Sequence, residues 1–487
     1  KVIPKWKDLM VEHWFAQRTV WAKLAQVVWR PLVACFVTGL MAVPFCGLCM
    51  TTGTWQKAMS ITDDPRSHGL WGQSACPAPL TAPLSQDSTV DVAVIGAGYT
   101  GLSAALHLAS AGRSVAVLDA KAIGYGGSGR NVGLVNAALW NMPSEVFETL
   151  GSKYGARVLT LLGHGPELVF KIIERFGLDC EAEHTGTLHC APDAAGLKAL
   201  RERERQWQAL GAPVRLLDAQ QTRRQTGTTL YRGALLDERA GTIQPLSYAR
   251  GLARAAQDAG AAIYTGTPVT GAEKMGETWH VRTRGGTVRA KWVIVATNAY
   301  TAAPWTALRE EVIALPYFNF ATRPLSADQL SRVLPDRQGA WDTREVLTSF
   351  RLDRAGRLIV GSVGALKGVA RKVHHDWSRR VLARLYPELA HEGFESEWYG
   401  TIGMTTDSVP RYHKLDDTVL SLSGYNGRGI STGTAFGRVL ARRICGDLGD
   451  ADMPLPVTLT AAVPRRGRHE HMYAHGSVAV HAISDRF

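Results

Sequence analysis

The sequence predicts an α/β fold, and three observations carry that prediction. Residues 91–119 run from an apolar strand through a glycine turn and an apolar helix to a second apolar strand that closes on an acid, Asp119. Residues 292–296 form another strongly apolar strand, which enters a turn of small residues. Residues 423–430, Ser-Gly-Tyr-Asn-Gly-Arg-Gly-Ile, form a second glycine-rich turn between a strand and a helix. A βαβ unit thus opens the fold, strands and helices recur to the C-terminus, and mixed strand runs fall between. This order calls for a Rossmann-like nucleotide-binding domain built from separated segments, with an inserted α+β domain that carries a mixed sheet.

In the opening unit, 91–95 and 114–118 are apolar enough for buried parallel strands. The helix over 100–112 ends at Gly112. Gly96 permits the tight turn, Gly98 lets the backbone approach a pyrophosphate, and Gly101 lets the helix pack on the strand. The free N–H groups where the helix starts, at Tyr99 and Thr100, face such phosphates. Asp119 stands 18 residues after Gly101, where a ribose-binding acid is expected, followed by Ala120 and Lys121.

Residues 144–177 carry apolar positions at helical spacing and predict two helices broken near 163–166. A charged helix follows over 194–210, its Arg and Glu cluster a solvated face. A helix over 247–260 precedes a strand over 261–264. Residues 279–284 and 287–290 read as a hairpin turning at Gly285 and Gly286. Further strands are expected at 317–322, 346–352, 358–361 and 419–423, with helices at 379–386 and 434–445. By these signals residues 88–140, 235–300 and 395–455 form the nucleotide-binding domain, and 141–234 with 301–394 the inserted one.

The chain has 487 residues and a net charge of +12, with the basic residues spread along it rather than run together with aromatics. A nucleic-acid role is therefore not expected. Seven scattered cysteines exclude a disulfide scaffold and suit a reducing compartment, and no metal site is expected. Residues 1–58 differ from the rest: they hold five tryptophans and an uncharged stretch over 31–56. That stretch is long enough to span a bilayer, although Pro44 would kink it. It reads as an extension upstream of a natural start near Met59, as a membrane anchor, or as a signal sequence with an overlong front. A cytoplasmic protein is expected, with inner-membrane association through 31–56 as the alternative. Residues 59–87 read as an extended lead-in, and 456–487 as a mobile basic tail.

Two loops stand out beyond the opening motif. Residues 123–133 hold five glycines, with Gly127, Ser128, Gly129, Arg130, Asn131, Val132 and Gly133 closing the run. Such glycine density is entropically costly, and close passage against a flat or phosphate-bearing ligand explains it. Ala296, Thr297 and Asn298 lie at the C-terminal end of a strand, where α/β folds bind ligands.

With GGSGRNVGLVNA, VIVATNAY, SFRLDRAGRLIVGS, WYGTIGMTTDSVP and SGYNGRGI in this order, the chain resembles flavin-dependent amine and amino-acid oxidases of the D-amino-acid oxidase superfamily. The resemblance covers residues 88–455 and is nearest the L-pipecolate oxidase and γ-glutamylputrescine oxidase branch. It implies non-covalent FAD. Gly96, Gly98 and Gly101 would hold its pyrophosphate, Asp119 its adenosine ribose, and the backbone of Val269 its adenine. Residues 128–131 would run toward the isoalloxazine, and Gly424, Asn426, Gly427, Arg428, Gly429 and Ile430 would lie near its pyrimidine edge. The implied reaction is hydride transfer from a carbon bearing an amine to the flavin, giving an imine, with oxygen or a respiratory-chain acceptor reoxidising it. L-pipecolate is the first expected substrate; γ-glutamylputrescine or a D-amino acid is the alternative. No catalytic base is named, since the flavin carries the difficult chemistry. Arg351 is the first candidate for gripping a substrate carboxylate, with Tyr425 and Trp398 as pocket walls.

Overall fold

A computed structural model describes residues 68–484. The apolar stretch 31–56 lies outside them, as does all of the segment 1–67. Among the described residues no helix is long and apolar enough to cross a membrane.

The architecture is mixed α/β, built on two large sheets. In the first, Ser88–Ile95 lies between Thr287–Val295 on one side and Val115–Leu118 on the other, and pairs parallel to both. Ala262–Tyr264 extends one flank and Val419–Ser423 the other, again in parallel. The central strands are buried on both faces, as their continuous apolar runs require. The chain leaves Ser88–Ile95 toward one flank and returns to the opposite flank through Thr287–Val295. The sheet therefore has a topological switch point beside the Gly96 turn.

Helix Tyr99–Ser110 covers this sheet and packs against helices Pro245–Asp258 and Gly429–Cys445. The last of these starts five residues earlier than periodicity suggested, because its first turn contains Gly429 and Gly433. Strand Thr287–Val295 also joins two segments expected apart: its first half pairs with the hairpin strand Thr278–Arg282, its second half with Val419–Ser423.

The second sheet runs in the order Phe394–Met404, Ile313–Pro324, Arg357–Val363, Ser349–Leu352, Gly339–Asp342, Thr187–Ala191, Gly233–Asp237, Val214–Leu217. It is antiparallel except where Gly339–Asp342 meets Thr187–Ala191. Two of its strands, Gly233–Asp237 and Phe394–Met404, fall largely within segments expected in the nucleotide-binding domain. Hydrogen bonding decides their place: Phe394–Met404 pairs with Ile313–Pro324 along nearly its whole length. One face of this sheet packs Phe318, Phe320, Phe350 and Leu352 against Trp377 and Leu382 of helix Gly368–Leu385.

The C-terminal segment is not a mobile tail. Residues Arg466–Ile483 form a helix, fixed at both ends by buried polar groups. Glu470 accepts from the Ala314 amide at 2.8 Å and from Arg309 at 3.0 Å and Arg466 at 3.1 Å. His481 is fully buried, stacks on Trp377 at 4.0 Å, and shares an Nδ1 to Nδ1 hydrogen bond of 2.8 Å with His374. Burial pushes His374 down to about 4 and His481 to about 3; the neighbouring His374 and Arg380 add to the second shift. Charging either ring thus opposes docking of the helix. Both groups have folded values below the ordinary 6.5, so the stability they allow is complete above about pH 6.5 and is lost as pH falls toward 3. Hydrogen exchange should show residues 466–483 losing protection between pH 6.5 and 4 before the first sheet does. His481→Phe should blunt that dependence, and an unchanged profile would refute the assignment.

Candidate active site

Four separated segments meet at the C-terminal edge of the first sheet. The turn after Ser88–Ile95 comes first. Gly96 has φ +106°, and a Cβ there would lie 3.0 Å from the Ala296 carbonyl oxygen. A Cβ on Gly101 would stand 2.0 Å from the Gly96 carbonyl oxygen, so the helix sits on the turn only because residue 101 has no side chain. Asp119 closes the turn from the neighbouring strand: it accepts from the Ala97 amide at 2.7 Å and the Lys121 amide at 2.8 Å. Burial raises its carboxyl, and those two amides oppose the rise. Ala120 is exposed beside it.

The second segment is the loop ending in the short helix Gly127–Gly129. Ser128 Oγ accepts from the Tyr99 amide at 3.1 Å, which fixes the loop over the start of the motif helix. A Cβ on Gly98 would meet that same Oγ at 2.9 Å. Asn131 gathers the loop: its Nδ2 donates to the Gly127 and Ser128 carbonyls at 3.0 and 3.1 Å, and its Oδ1 accepts from Gly133 at 2.8 Å. Arg130 is buried, donates to the Tyr125 carbonyl and lies over the Tyr125 ring at 4.3 Å. Val132 packs on the Leu70, Trp71 and Trp398 cluster.

The third and fourth segments interlock. The Ala296 amide donates to Ile95, and Thr297 bonds Thr301. Asn298 Oδ1 accepts from the Gly424 amide at 2.9 Å. Asn426 folds back on Gly424 through Nδ2 at 2.7 Å. Gly427 has φ +83°, and Gly429 and Ile430 begin the last core helix. Val269 packs in the cluster of Tyr264, Trp279, Ile95 and Leu118, and Thr267, two residues before it, donates its amide to the Asp119 carbonyl at 2.7 Å.

The side chains of Tyr99 and Thr100 turn inward. Tyr99 Oη donates to the Ser128 carbonyl at 2.5 Å, and Thr100 Oγ1 bonds Tyr425 Oη at 2.7 Å. That bond revises the reading of Tyr425, which lies between two core helices, not on a pocket wall. Trp398 is likewise structural: it is 2% exposed, donates to the Arg130 carbonyl at 3.0 Å and packs edge-on against Trp71. Arg351 is also a pin. Its Nε donates to Leu352 at 3.0 Å, and its Nη1 donates to the Gly133 carbonyl at 3.3 Å and to the Ile243 carbonyl. Its donors thus hold the glycine loop to the second sheet, which is why they are not laid out as a carboxylate fork. Burial lowers this guanidinium to about 10.

Opposite the glycine turns, the second sheet presents Tyr317, bonded to Ser349 at 2.7 Å, and Trp341, stacked on His189 at 5.0 Å. Sequence reasoning passed over Trp341 and Trp140. The signal available was alternation: Leu188 and Cys190 enter the far core, so His189 between them must face the site. Burial, with Arg203 and Arg428 adding, holds His189 well below the ordinary value. Three other histidines are committed elsewhere: His164 pairs with Glu167 on an exposed helix, His184 stacks on Phe170, and His413 lies against Glu311.

A turn that only glycines permit, an acid at the tip of the next strand and a glycine loop laid over a helix start fit a dinucleotide at the switch point. The fold and site are those of a dinucleotide-binding oxidoreductase with a second sheet facing the cofactor. The chain belongs to the DAO family of FAD dependent oxidoreductases, whose model matches residues 91–443. It is 34% identical over 399 residues to the gamma-glutamylputrescine oxidoreductase of Escherichia coli (strain K12), covering 78% of this chain and 91% of that protein. It is 29% identical to the probable oxidoreductase OrdL of Rhizobium meliloti (strain 1021), covering 89% of this chain and all of that one. Among solved structures, glycine oxidase from Geobacillus kaustophilus superposes with a TM-score of 0.64 at 21% identity, covering 77% of this chain and all of that one. The protein is thus an FAD-dependent oxidoreductase acting on amine or amino-acid substrates.

Overpacking of the kind a methyl at residue 101 creates costs about 1–3 kcal/mol. Gly101→Ala should therefore lower flavin retention on the order of tenfold or more, read as flavin absorbance per protein. Wild-type flavin content in this variant would contradict the tight-turn argument.

Proposed function

We propose that this chain oxidises the C–N bond of a γ-glutamylputrescine-like amine, one that carries a carboxylate group at a distance from the reacting carbon. The observation that carries this reading is the 34% identity to gamma-glutamylputrescine oxidoreductase over 91% of that protein's length. It displaces L-pipecolate, the substrate first expected, for which the comparisons offer no support.

In this reading Gly96, Gly98 and Gly101 receive the pyrophosphate of FAD and Asp119 the adenosine ribose, with Ala120 and Lys121 beside it. Residues Gly127 to Gly133 lead from pyrophosphate to ring. Ala296, Thr297 and Asn298 floor the site, and Gly424 and Asn426 to Ile430 border the ring. The amide end of helix Gly429–Cys445 there favours negative charge. Bound FAD supplies the hydride acceptor for the amine-bearing carbon. The chain's own residues supply binding, orientation and the exclusion of water. Tyr317 and Ser349, joined by a hydrogen bond, give the second sheet a polar patch facing the ring side. Tyr317 is a neutral donor or acceptor near neutrality, and burial raises its hydroxyl further above the ordinary value.

Anaerobic mixing of the flavin-loaded protein with γ-glutamylputrescine should bleach the visible flavin band within the mixing experiment, and L-pipecolate should not. Bleaching by L-pipecolate alone would overturn the reading.

A further inference from the structure

The C-terminal helix Arg466–Ile483 is held firmly near its two ends and lightly between them. Glu470 is buried near the start and His481 near the end, and between them Ser477 alone is buried. Gly476 lies in the same stretch. A glycine inside a helix weakens it, because the unfolded chain has more freedom to regain. The middle of this helix is therefore its weak part.

His471 and His475 stand exposed on that stretch. At i and i+4 their side chains lie one above the other on one face. Their ring centres are 4.1 Å apart and the ring planes meet at 43°. Neither ring has a hydrogen-bond or ion-pair partner among the described residues. By contrast, His374 and His481 are spent on their mutual hydrogen bond inside the core.

The geometry of the exposed pair suits a shared ion. A neutral imidazole carries its lone pair in the ring plane, at a nitrogen on the ring edge. Zinc-type ions bind such nitrogens at about 2.0–2.1 Å with tetrahedral angles, which sets two of them about 3.4 Å apart. Rings with centres 4.1 Å apart can present nitrogens at that separation. The tilt helps as well: parallel rings hold their lone pairs side by side, whereas tilted planes let them converge. Glu470 is no third ligand, since it is turned inward to Ala314, Arg309 and Arg466. No third histidine, cysteine or carboxylate among the described residues closes the shell. Water completes it, as at other open sites.

We propose that His471 and His475 form a two-nitrogen site for a divalent transition-metal ion, which clasps the turn before Gly476 and strengthens the middle of the C-terminal helix. Imidazole ligands select nickel, copper and zinc over magnesium and calcium, which take oxygen ligands. The helical form alone brings the two rings together, so metal binding and helix stability are linked. The site stands apart from the flavin site and does not depend on which amine is oxidised.

The probe is nickel(II), titrated by calorimetry into the flavin-loaded full-length protein and into its His471→Ala and His475→Ala variants. Both positions are exposed and alanine favours helix, so flavin content should match the wild type in each variant. The site is the binding component that both variants lose. Removing one of the two ligands should weaken nickel on the order of a hundredfold, because the second contact is intramolecular. Magnesium should produce no such component. Hydrogen exchange supplies the second reading. Nickel should slow exchange of the amides over 471–480 in the wild type and leave exchange in both variants unchanged. Equal nickel affinity in the wild type and either variant overturns the proposal. So does nickel binding that leaves exchange over 471–480 unaltered in the wild type, since the ion then clasps nothing. A magnesium response equal to that of nickel overturns the assignment to imidazole.

Discussion

The contact between helix Tyr99–Ser110 and helix Gly429–Cys445 is the constraint on which the site depends. These helices approach so closely that a Cβ on Gly437 would lie 2.5 Å from the Thr100 carbonyl oxygen, and one on Gly433 would lie 3.0 Å from Thr100 Oγ1. Ser103 Oγ donates to the Thr434 carbonyl at 2.7 Å, tying the backbones where side chains are smallest. Only this approach brings the first glycine turn and the last one to a single edge of the sheet. Both turns keep their own local geometry, but neither forms a binding site alone.

A second set of contacts fixes the glycine loop between them. Trp71 donates to the Asn131 carbonyl, Trp398 to that of Arg130, and Arg351 to that of Gly133. Three large donors from outside the loop thus satisfy three of its four carbonyls between residues 130 and 133 that a glycine-rich segment would otherwise leave free. The loop's conformation is set in advance, and the entropy that its glycines would lose on meeting a ligand is already lost in folding. This explains why the second sheet and the loop are inseparable: the Arg351 and Trp398 donors stand on strands of that sheet.

The parts legible in the sequence were those whose signal is local. The strand–turn–helix at Gly96, the hairpin at Gly285 and the break between helices near Gly163 follow from residues within a few positions of one another. The parts that were not legible depend on partners far away. Residues 394–404 carry no mark of the sheet they join; pairing with Ile313–Pro324 decides it. The C-terminal helix looked like a charged tail because its anchors, Glu470 and His481, are polar, and only their distant partners make them buried. Arg351, Trp398 and Tyr425 were reasonable pocket residues by type. What their donors bond is a property of the folded chain.

The helix pair has a consequence for biosynthesis. Gly101 and Gly437 are separated by 336 residues. At the ribosome's pace of about 5–20 residues per second, roughly twenty seconds to a minute pass between the emergence of the first turn and that of its closing partner. Throughout that interval the apolar face of the opening helix has no lid, and the pyrophosphate cradle has one wall. Cofactor capture is therefore an event of the finished chain, and a polypeptide truncated before residue 429 leaves the ribosome unable to retain the flavin for which residues 91–119 are shaped.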